Sequence, residues 1–350
     1  MNEDKVFSYE ILNDFTYQIF LQVGLRSEDA KTIADHLVGA SLRGVDSHGL
    51  SRIPIYAKRM REGLVTIDGK IEVEEKGAAA ALVNGNNLPG ILVAQASIEL
   101  AVEKAKNTGI AIVGVKHSNH CGMLAAYAKY AVNENMIALL TSNASPSMAP
   151  WGGQEKFFGT NPFCYGLPAG AEDAIILDMA TSVVAKGKIR IAEKMKEKIP
   201  EDWAITHDGR RTTDPTEALQ GLVLPMAGPK GYGIVLLNDF LSGIFTGANY
   251  GPYIASMFES KRQEVGHCFI VMRPDLFQSL EEYQKKVDNY ISQIRQVQKM
   301  NGIERIYLPG EIEREKEAIR REEGIPLSKS LYQELRETGS ELGVTLETLT

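Results

Sequence analysis

Up to about position 70, apolar residues recur three and four places apart, with polar residues between them. An α-helix turns once in about 3.6 residues, so this spacing puts the apolar side chains on one helical face. Three helices are predicted: Ile11–Val23, Ser27 to about Gly44, and Ser47 to about Glu62, with a candidate kink at Pro54. They are rich enough in apolar positions to pack on each other, but short enough to need a partner domain.

From about Lys70 the pattern changes to short apolar runs that alternate with longer helical segments. The predicted strands are Ile71–Glu75, Ala78–Val83, Ile110–Val115, Ile137–Thr141, Ala174–Leu177, Cys268–Val271 and Arg305–Leu308, and the predicted helices are Leu92–Lys106, Met123–Val132, a segment after Thr181 and Leu280–Gln298. Such alternation predicts an α/β fold, in which helices cover the faces of a sheet. Beyond Glu311 the chain is predicted to form a highly charged surface helix.

A length of 350 residues suits two domains, and 44% hydrophobic with 24% charged residues is typical of a globular protein. The formal net charge of −7 argues against nucleic acid as a partner, because an acidic surface repels phosphate backbones. The three cysteines form no CxxC pair or His/Cys cluster, which favours a reducing compartment over a structural zinc site. No apolar run approaches the ~20 residues of a membrane helix, and Met1–Asp4 does not look like a secretory signal. We therefore expect a cytoplasmic protein without a membrane partner.

The first candidate site is the stretch RGVDSHGLSR, from Arg43 to Arg52. Ser47 is placed to cap the third predicted helix, which would put His48 and Arg52 four residues apart on one face. A guanidinium binds a carboxylate through two parallel hydrogen bonds, and an imidazole exchanges a proton near neutral pH. The pair therefore suits a substrate with a carboxylate next to a hydroxyl or carbonyl group; the alternative is a capped surface helix with incidental charges.

The second candidate site is KHSNHCG, from Lys116 to Gly122, which follows a predicted strand and precedes a predicted helix. This is where α/β folds place ligand-binding groups. His117 and His120 could instead hold a metal ion, which gives the alternative function of a metal-dependent hydrolase or lyase. No third ligand accompanies them, so we expect no metal site. Cys121 is either a nucleophile beside a base or a small buried residue.

Glycine-rich loops form the remaining candidates. They occur at 150–153, at 158–162 and at 227–233, and a further candidate follows the predicted strand that ends at Leu177. Such loops let the backbone approach a ligand closely, and Lys230 before a predicted helix suits an anion or phosphate. The chain has no GxGxxG after a predicted strand, no GxxxxGK[ST] and no GxSxG. A conventional Rossmann, P-loop or serine hydrolase function therefore has no support.

Taken in order along the chain, six of these motifs resemble the malate/L-lactate/sulfolactate dehydrogenase family, the non-Rossmann type of NAD(P)-dependent 2-hydroxyacid oxidoreductase. The motifs are RGVDSHGLSR, SNHCG, GTNPF, LDMATS, TTDP at Thr212–Pro215, and GPKGYG. The AGPKGYG form is most similar to the ureidoglycolate dehydrogenase branch. The resemblance implies NAD-dependent oxidation of (S)-ureidoglycolate to oxalurate in purine (allantoin) catabolism, with malate, lactate or sulfolactate as alternative substrates.

The resemblance also implies an architecture. A helical domain of residues 1–72, joined by C-terminal helices at about 312–350, is expected to pack on a mixed-sheet domain of residues 73–311 that binds the dinucleotide in a non-Rossmann manner. Helices at about 230–262 are expected to pack with the helical domain. Members of the family usually form dimers with the active site near the interface, so a homodimer is expected here.

Residue roles transfer from the family to matching positions of this chain. The resemblance implies His120 as the proton acceptor, with His48 as its partner at the same oxygen; in the related diketogulonate reductases the acid/base role belongs to the residue matching His48. The implied substrate-binding residues are Ser47, Arg52, Asn119 and Thr160. The implied cofactor-binding residues are Ala144, Asp178, Met179, Ala180, Lys230, Gly310 and Glu311. A carboxylate at Glu311 beside the adenosine ribose would favour NAD over NADP, because it would repel a 2′-phosphate.

Overall fold

The computed structural model describes residues 4–346. Its α-helices are α1 Tyr9–Gln22, α2 Ser27–Leu42, α3 Ile53–Arg61, α4 Gly90–Thr108, α5 Leu124–Asn133, α6 Lys186–Met195, α7 Pro215–Gln220, α8 Pro229–Asp239, α9 Leu280–Gln296, α10 Glu311–Glu323 and α11 Lys329–Leu342. Its strands are β1 Lys5–Phe7, β2 Glu72–Gly77, β3 Ala80–Asn84, β4 Ile110–Ser118, β5 Ile137–Ser142, β6 Phe163–Leu167, β7 Ile175–Met179, β8 Ala204–Ile205, β9 Leu222–Val223, β10 Val265–Met272 and β11 Ile325–Leu327. Short 3₁₀ turns lie at Asp46–His48, Leu50–Arg52 and Gly251–Tyr253, and a π-helical turn at Phe240–Ile244 extends α8.

Seven of the strands form one mixed sheet in the order β2-β3-β4-β10-β5-β6-β7. β3 and β4 run parallel because α4 connects them as a crossover, and the other neighbouring pairs are antiparallel. The central strand is β10, in which Phe269 pairs with Val113 on one side and with Leu140 on the other. The predicted α/β class with a mixed sheet is confirmed.

The direction of the strands determines where loop residues meet. β4, β5 and β7 all run the same way, since β4 and β5 are both antiparallel to β10, and β6 is antiparallel to both β5 and β7. Their carboxyl ends therefore lie at one edge of the sheet. The residues after Ser118, Ser142 and Met179 are brought together there, although they are far apart along the chain.

Helices α4 and α5 pack on this sheet and complete its core. Their apolar stripes meet the buried side chains of the strands, among them Val113, Leu140 and Phe269. Gly109 ends α4 at φ +85°, a backbone conformation that favours glycine, and the chain turns directly into β4. The helices therefore cover a hydrophobic sheet, as the sequence pattern predicts.

A second core joins the N-terminal helices to the end of the chain. It combines α1, α2 and α3 with α11 and β11, and β11 pairs antiparallel with β1. The prediction of a single charged helix after Glu311 is wrong in this respect. Gly324 ends α10 at φ +91°, and a Cβ there would lie 2.6 Å from Val6 Cγ1, so the chain turns back against β1. The last residues of that predicted helix, 347–350, lie outside the described part of the chain.

The predicted helix from Ser47 to Glu62 is also different in the structure. Two 3₁₀ turns come first, and α3 begins only at Ile53. Pro54 occupies the first turn of α3, where its missing N–H costs no helical hydrogen bond, so it starts the helix rather than kinking it. Ser47 does not cap a helix, because its hydroxyl lies 2.8 Å from His48 Nδ1.

The predicted strand Arg305–Leu308 is not formed. Its polar side chains are engaged elsewhere, with the Arg305 guanidinium over the ring of Tyr307 and against Glu311. The chain reaches the sheet only beyond this segment, where Ile176 N donates to Pro309 O at 3.1 Å. β6, at a segment for which the sequence analysis predicted no strand, takes the place beside β7.

The segment predicted as helices at about 230–262 contains α8, its π-helical extension and then mostly irregular chain. Arg59 of α3 ties this irregular part to the N-terminal helices. Its guanidinium donates to the carbonyls of Met257, Glu259 and Lys261 at 2.9, 2.9 and 2.7 Å. Within residues 4–346, no helix is both long and apolar enough to cross a membrane.

Candidate active site

A cleft of about 560 Å³ opens at the carboxyl edge of the sheet. The 3₁₀ turn at Asp46–His48 and residues 307–310, 312 and 313 also line it. The predicted site residues that line it are Ser47, His48, His120, Ala144, Thr160, Asp178, Met179, Ala180 and Gly310. The other predicted site residues, which do not line it, are Arg52, Asn119, Lys230 and Glu311.

The turn that carries His48 is held against α2 at a point of close approach. A Cβ on Gly49 would lie 2.1 Å from Ser41 Oγ, so only glycine fits there. The same Ser41 hydroxyl accepts from Leu50 N at 3.0 Å, which joins the two 3₁₀ turns to α2. This contact fixes the backbone directly after His48.

Arg52 lies beside the cleft and has unused hydrogen-bonding capacity. Its Nε donates to Ser47 O at 2.6 Å, and its Nη1 donates to Met257 Sδ at 3.4 Å; both partner residues line the cleft. No carboxylate of residues 4–346 forms an ion pair with it. Burial lowers the pKa of Arg52, the direction expected for a cation that lacks an anionic neighbour.

The rings of His48 and His120 stack in the cleft, with centroids 5.3 Å apart and an interplanar angle of 25°. His48 Nδ1 contacts the Ser47 hydroxyl, and His120 Nδ1 lies 2.5 Å from Tyr56 Oη. Burial, followed by the nearby Arg52 cation, lowers the pKa of His48 to about 4. Burial, followed by His48 and Arg52, holds the pKa of His120 well below its ordinary value. Both imidazoles are therefore neutral at pH 7.

The loop that carries His120 is shaped by Asn119. The Asn119 amide donates to the backbone carbonyls of Asn87 and Leu88 at 3.1 and 2.9 Å, so this side chain faces the interior rather than the cleft. A Cβ on Gly90 would lie 2.1 Å from Asn119 O, which shows how closely α4 approaches the loop. Asn119 therefore orients the loop, and the expected contact of its side chain with substrate does not fit this arrangement.

Sequence reasoning missed three residues around His120. Tyr56 contacts its ring, Gln263 Oε1 accepts from its backbone N–H at 3.1 Å, and His36 Nε2 accepts from Met123 N at 2.9 Å. Tyr56 lies four residues after Arg52, so helical spacing is a signal that could have found it. Gln263 and His36 come from distant parts of the chain and give no local signal.

His117 lies away from this arrangement. Its backbone is at φ +53°, and its exposed ring contacts Glu264, with Nδ1 2.5 Å from Oε2. His120 contacts Tyr56 instead, so the two histidines do not converge. Nowhere in the described chain do three His, Cys, Asp or Glu side chains form a group suited to a metal ion. The alternative of a metal-dependent hydrolase therefore finds no ligand set here.

The far end of the cleft is built from backbone and from side chains that already have partners. Asp178 accepts from Ala125 N at 2.7 Å, at the start of α5, and burial raises its pKa to about 6 against these backbone hydrogen bonds. Ala144 N donates to Asn161 Oδ1 at 3.0 Å. Gly310 has φ +92° and lies close to β7. A Cβ on this residue would be 2.9 Å from Ile176 O. Such close-packed backbone lets a ligand lie directly against the main chain, and a cleft of this volume fits a dinucleotide.

Glu311 does not lie where the sequence analysis expected it. Its side chain is 3% exposed and contacts Arg295 Nη2 at 2.6 Å, Arg305 Nη2 at 3.3 Å and Leu308 N at 2.9 Å. This carboxylate therefore holds the 308–310 turn that supports Gly310, and it gives no ground for choosing NAD. Lys230 is exposed in the first turn of α8 and is likewise outside the lining of the cleft.

A model of the malate/L-lactate dehydrogenase family matches residues 7–336. The chain belongs to this family. L-sulfolactate dehydrogenase of Methanocaldococcus jannaschii is 38% identical over 330 residues, covering 94% of this chain and 95% of that protein. The solved structure of sulfolactate dehydrogenase from M. jannaschii superposes with a TM-score of 0.93 and 37% identity, covering 97% of this chain and 98% of the other. The predicted dehydrogenase family is thereby confirmed.

The ureidoglycolate branch is represented at lower identity. The NAD(+)-specified ureidoglycolate dehydrogenase of Escherichia coli O157:H7 is 32% identical over 330 residues, covering 94% of each chain. This similarity does not single out ureidoglycolate among the substrates named for the family.

Proposed function

We propose that the protein transfers a hydride between nicotinamide and the hydroxyl-bearing carbon of a small 2-hydroxy acid. The observation that carries this proposal is the pair of neutral, stacked imidazoles of His48 and His120 beside an Arg52 that has no carboxylate partner in residues 4–346. Oxidation of a hydroxyl group requires a neutral base for its proton. Arg52 supplies the cation that binds the substrate carboxylate and orients the carbon–hydrogen bond.

The cofactor would lie along the far end of the cleft. Ala144, the segment 178–180 and Gly310 would hold it, and when bound it supplies the nicotinamide ring that exchanges the hydride. We favour NAD, because the carboxylates of Asp178 and Glu313 both line this wall and would repel a 2′-phosphate. A ratio of kcat/KM for NAD over NADP above ten supports this choice, and a ratio below one contradicts it.

The substrate is a 2-hydroxy acid with a second polar group. (S)-Ureidoglycolate is the substrate that the sequence resemblance favours, but the sulfolactate relative has the higher identity. We therefore rank sulfolactate and malate first and ureidoglycolate next. These acids share the carboxylate and the hydroxyl-bearing carbon that Arg52 and the two histidines would recognise, and they differ only beyond that carbon.

A panel of 2-hydroxy acids, assayed with each dinucleotide by the absorbance of the reduced nicotinamide, tests the proposed function. Sulfolactate, malate, lactate and ureidoglycolate form the panel. The control is the double variant H48A/H120A, purified in parallel, which removes both imidazoles and exposes any contaminating dehydrogenase. Turnover of at least one acid by the native chain and of none by the control supports the proposal. Equal rates in both preparations would refute it.

We also propose that the protein is a homodimer. One face of α8 and its π-helical extension is apolar and exposed; its residues, which we call the α8 face, are Ile234, Leu237, Phe240 and Ile244. Leu237 and Phe240 are 51% and 45% exposed, and a contiguous apolar surface of this kind is typical of a subunit interface. A second copy covering this face would also bring Lys230 into the interface.

Sedimentation velocity tests the homodimer. The double variant L237E/F240E puts two carboxylates on the α8 face and is expected to convert the dimer into monomer, because buried unpaired charges oppose association. Phe277→Glu is the matched control, since Phe277 is 98% exposed and lies outside this face. A native chain that sediments as a monomer at tens of micromolar would contradict the proposal.

A further inference from the structure

Two groups approach the same ring nitrogen of His120. Tyr56 Oη lies 2.5 Å from Nδ1, and Gly122 N lies 3.3 Å from it. A backbone N–H can only donate a hydrogen bond, so Nδ1 must present its lone pair to Gly122. A proton on Nδ1 would face the Gly122 N–H directly and would leave that N–H without this acceptor.

The Tyr56 hydroxyl supports the same assignment. Its other neighbour, the backbone carbonyl of His120, is 3.4 Å away, so the hydroxyl hydrogen is directed to the much closer Nδ1. Burial raises the pKa of Tyr56 above its ordinary value, and the hydroxyl therefore keeps its hydrogen throughout the neutral range. The neutral ring of His120 has a single proton, which must then be on Nε2.

We propose that Tyr56 is a positioning residue which, together with the Gly122 N–H, holds His120 as the tautomer protonated on Nε2. In this state His120 donates a hydrogen bond to the substrate oxygen and cannot accept a proton at Nε2. The group that takes the hydroxyl proton is then His48, which reverses the roles expected from the sequence. The roles of the two rings toward substrate rest on the proposed function, whereas the tautomer of His120 does not.

The chemical step balances with these assignments. On oxidation, the carbon–hydrogen bond breaks with its electron pair leaving as hydride to the oxidised nicotinamide, and the C=O double bond forms from the oxygen–hydrogen bonding pair. The hydroxyl proton passes to Nε2 of His48; this requires the proton of the neutral ring to be on Nδ1, which then donates to the Ser47 hydroxyl 2.8 Å away. The His120 Nε2–H remains on the oxygen through the step and stabilises its partial negative charge.

Nitrogen NMR of protein labelled with [¹⁵N]histidine tests the tautomer without any assay of activity. The chain has six histidines, and the signals of His120 are identified by their loss in His120→Gln. We expect Nε2 of His120 to have the shift of a protonated nitrogen and Nδ1 that of an unprotonated one. Tyr56→Phe keeps the ring and removes the hydroxyl, and should move the Nδ1 shift. A protonated Nδ1 in the native chain would overturn the proposal.

Two matched glutamine variants test the roles. A glutamine amide can donate a hydrogen bond where Nε2–H does but cannot take up a proton, so His120→Gln should keep much more activity than His48→Gln. We expect His48→Gln to lower kcat by about 10²–10⁴-fold, the usual contribution of a general base. Tyr56→Phe should lower kcat about 10–100-fold with the KM for the dinucleotide unchanged, because it misplaces only the donor. The reverse order of the two glutamine variants would overturn the assignment of His48.

The NMR test of the tautomer and the assay of 2-hydroxy acid turnover can fail independently of each other. If no 2-hydroxy acid is turned over but Nε2 of His120 carries the proton, the positioning role of Tyr56 stands and the proposed function is refuted. If turnover is found but Nδ1 carries the proton, the proposed function stands and the positioning role is refuted.

Discussion

The two ends of the cleft differ in how much hydrogen-bonding capacity they leave for a ligand. At the histidine end, Arg52 has no carboxylate partner and Nε2 of His120 has no protein partner within residues 4–346. At the far end, Asp178 is bound to Ala125 N, and Glu311 is bound to two arginines. The histidine end therefore offers a cation and a ring nitrogen to the reacting part of a substrate, whereas the far end offers backbone groups and the carboxylates of Asp178 and Glu313.

Of the three effects that test this contrast between the two ends, the largest is expected at Arg52. Arg52→Met keeps the length of the side chain and removes the charge, and the kcat/KM for the hydroxy acid should fall about 30- to 5,000-fold, since losing one partner of a buried charge pair costs roughly 2–5 kcal/mol. The KM for the dinucleotide should stay unchanged. Steady-state kinetics with each substrate varied in turn measures both values.

The control for this variant is Arg61→Met. Arg61 is the last residue of α3, the helix that follows Arg52; it is exposed and pairs with Glu341, so its loss should leave both KM values unchanged. A large rise in the KM for the dinucleotide in Arg52→Met would break the contrast between the two ends, because it would put this cation next to the cofactor.

An intermediate effect is expected beneath the cleft, at His267. This ring is fully buried between the hydroxyls of Ser118 and Ser142, each 2.9 Å away, and burial lowers its pKa to about 3. In the unfolded chain it takes up a proton below about pH 6.5, whereas in the folded chain it does so only near pH 3. Stability is therefore lost as pH falls from 6.5, by about 3 kcal/mol at pH 4.5 from this group.

Urea unfolding at pH 7 and pH 4.5 measures that loss. His267→Gln removes the titrating group and should make the difference in the free energy of unfolding between the two pH values smaller. His207→Gln is the control, because His207 is exposed and its replacement should leave the difference as it is. If His267→Gln loses as much stability between pH 7 and pH 4.5 as the native chain, the burial of a neutral His267 does not contribute to the loss of stability in acid.

The smallest effect is expected at Glu311. Glu311→Gln should lower the free energy of unfolding by about 1–3 kcal/mol, because a buried acceptor of several hydrogen bonds loses its charge. The preference between NAD and NADP should not change, since the carboxylate faces Arg295 and Arg305. Thermal unfolding and kinetics with both dinucleotides measure these quantities.

Glu315→Gln is the matched control for this effect. Glu315 pairs with Arg305 at the surface, and such pairs contribute roughly 0–1 kcal/mol. A tenfold shift of dinucleotide preference in Glu311→Gln would show that this carboxylate reaches the ribose after all. In that case a charged side chain would bind the ligand at the far end of the cleft as well as at the histidine end.

The sequence by itself determined the elements that depend on local pattern. The apolar stripe of α4, the buried run of β4 and the α/β alternation follow from side chains only a few residues apart, and these elements formed where they were predicted. The segments that carry His48, His120 and Asp178 were also visible in the sequence, and the latter two lie at the ends of strands that meet at the same edge of the sheet. The roles of these three residues were expected from the family resemblance and not from local spacing.

Only the tertiary structure decided which partners those residues have. Glu311 and Asn119 look like ligand-binding residues in the sequence, but packing turns their side chains toward Arg295 and toward the carbonyl of Asn87. Tyr56 meets His120 across 64 positions of chain, and the proposed position of the histidine's proton rests on this contact together with the Gly122 N–H. Hydrogen bonds between distant segments depend on how the helices dock on the sheet, which no local pattern encodes.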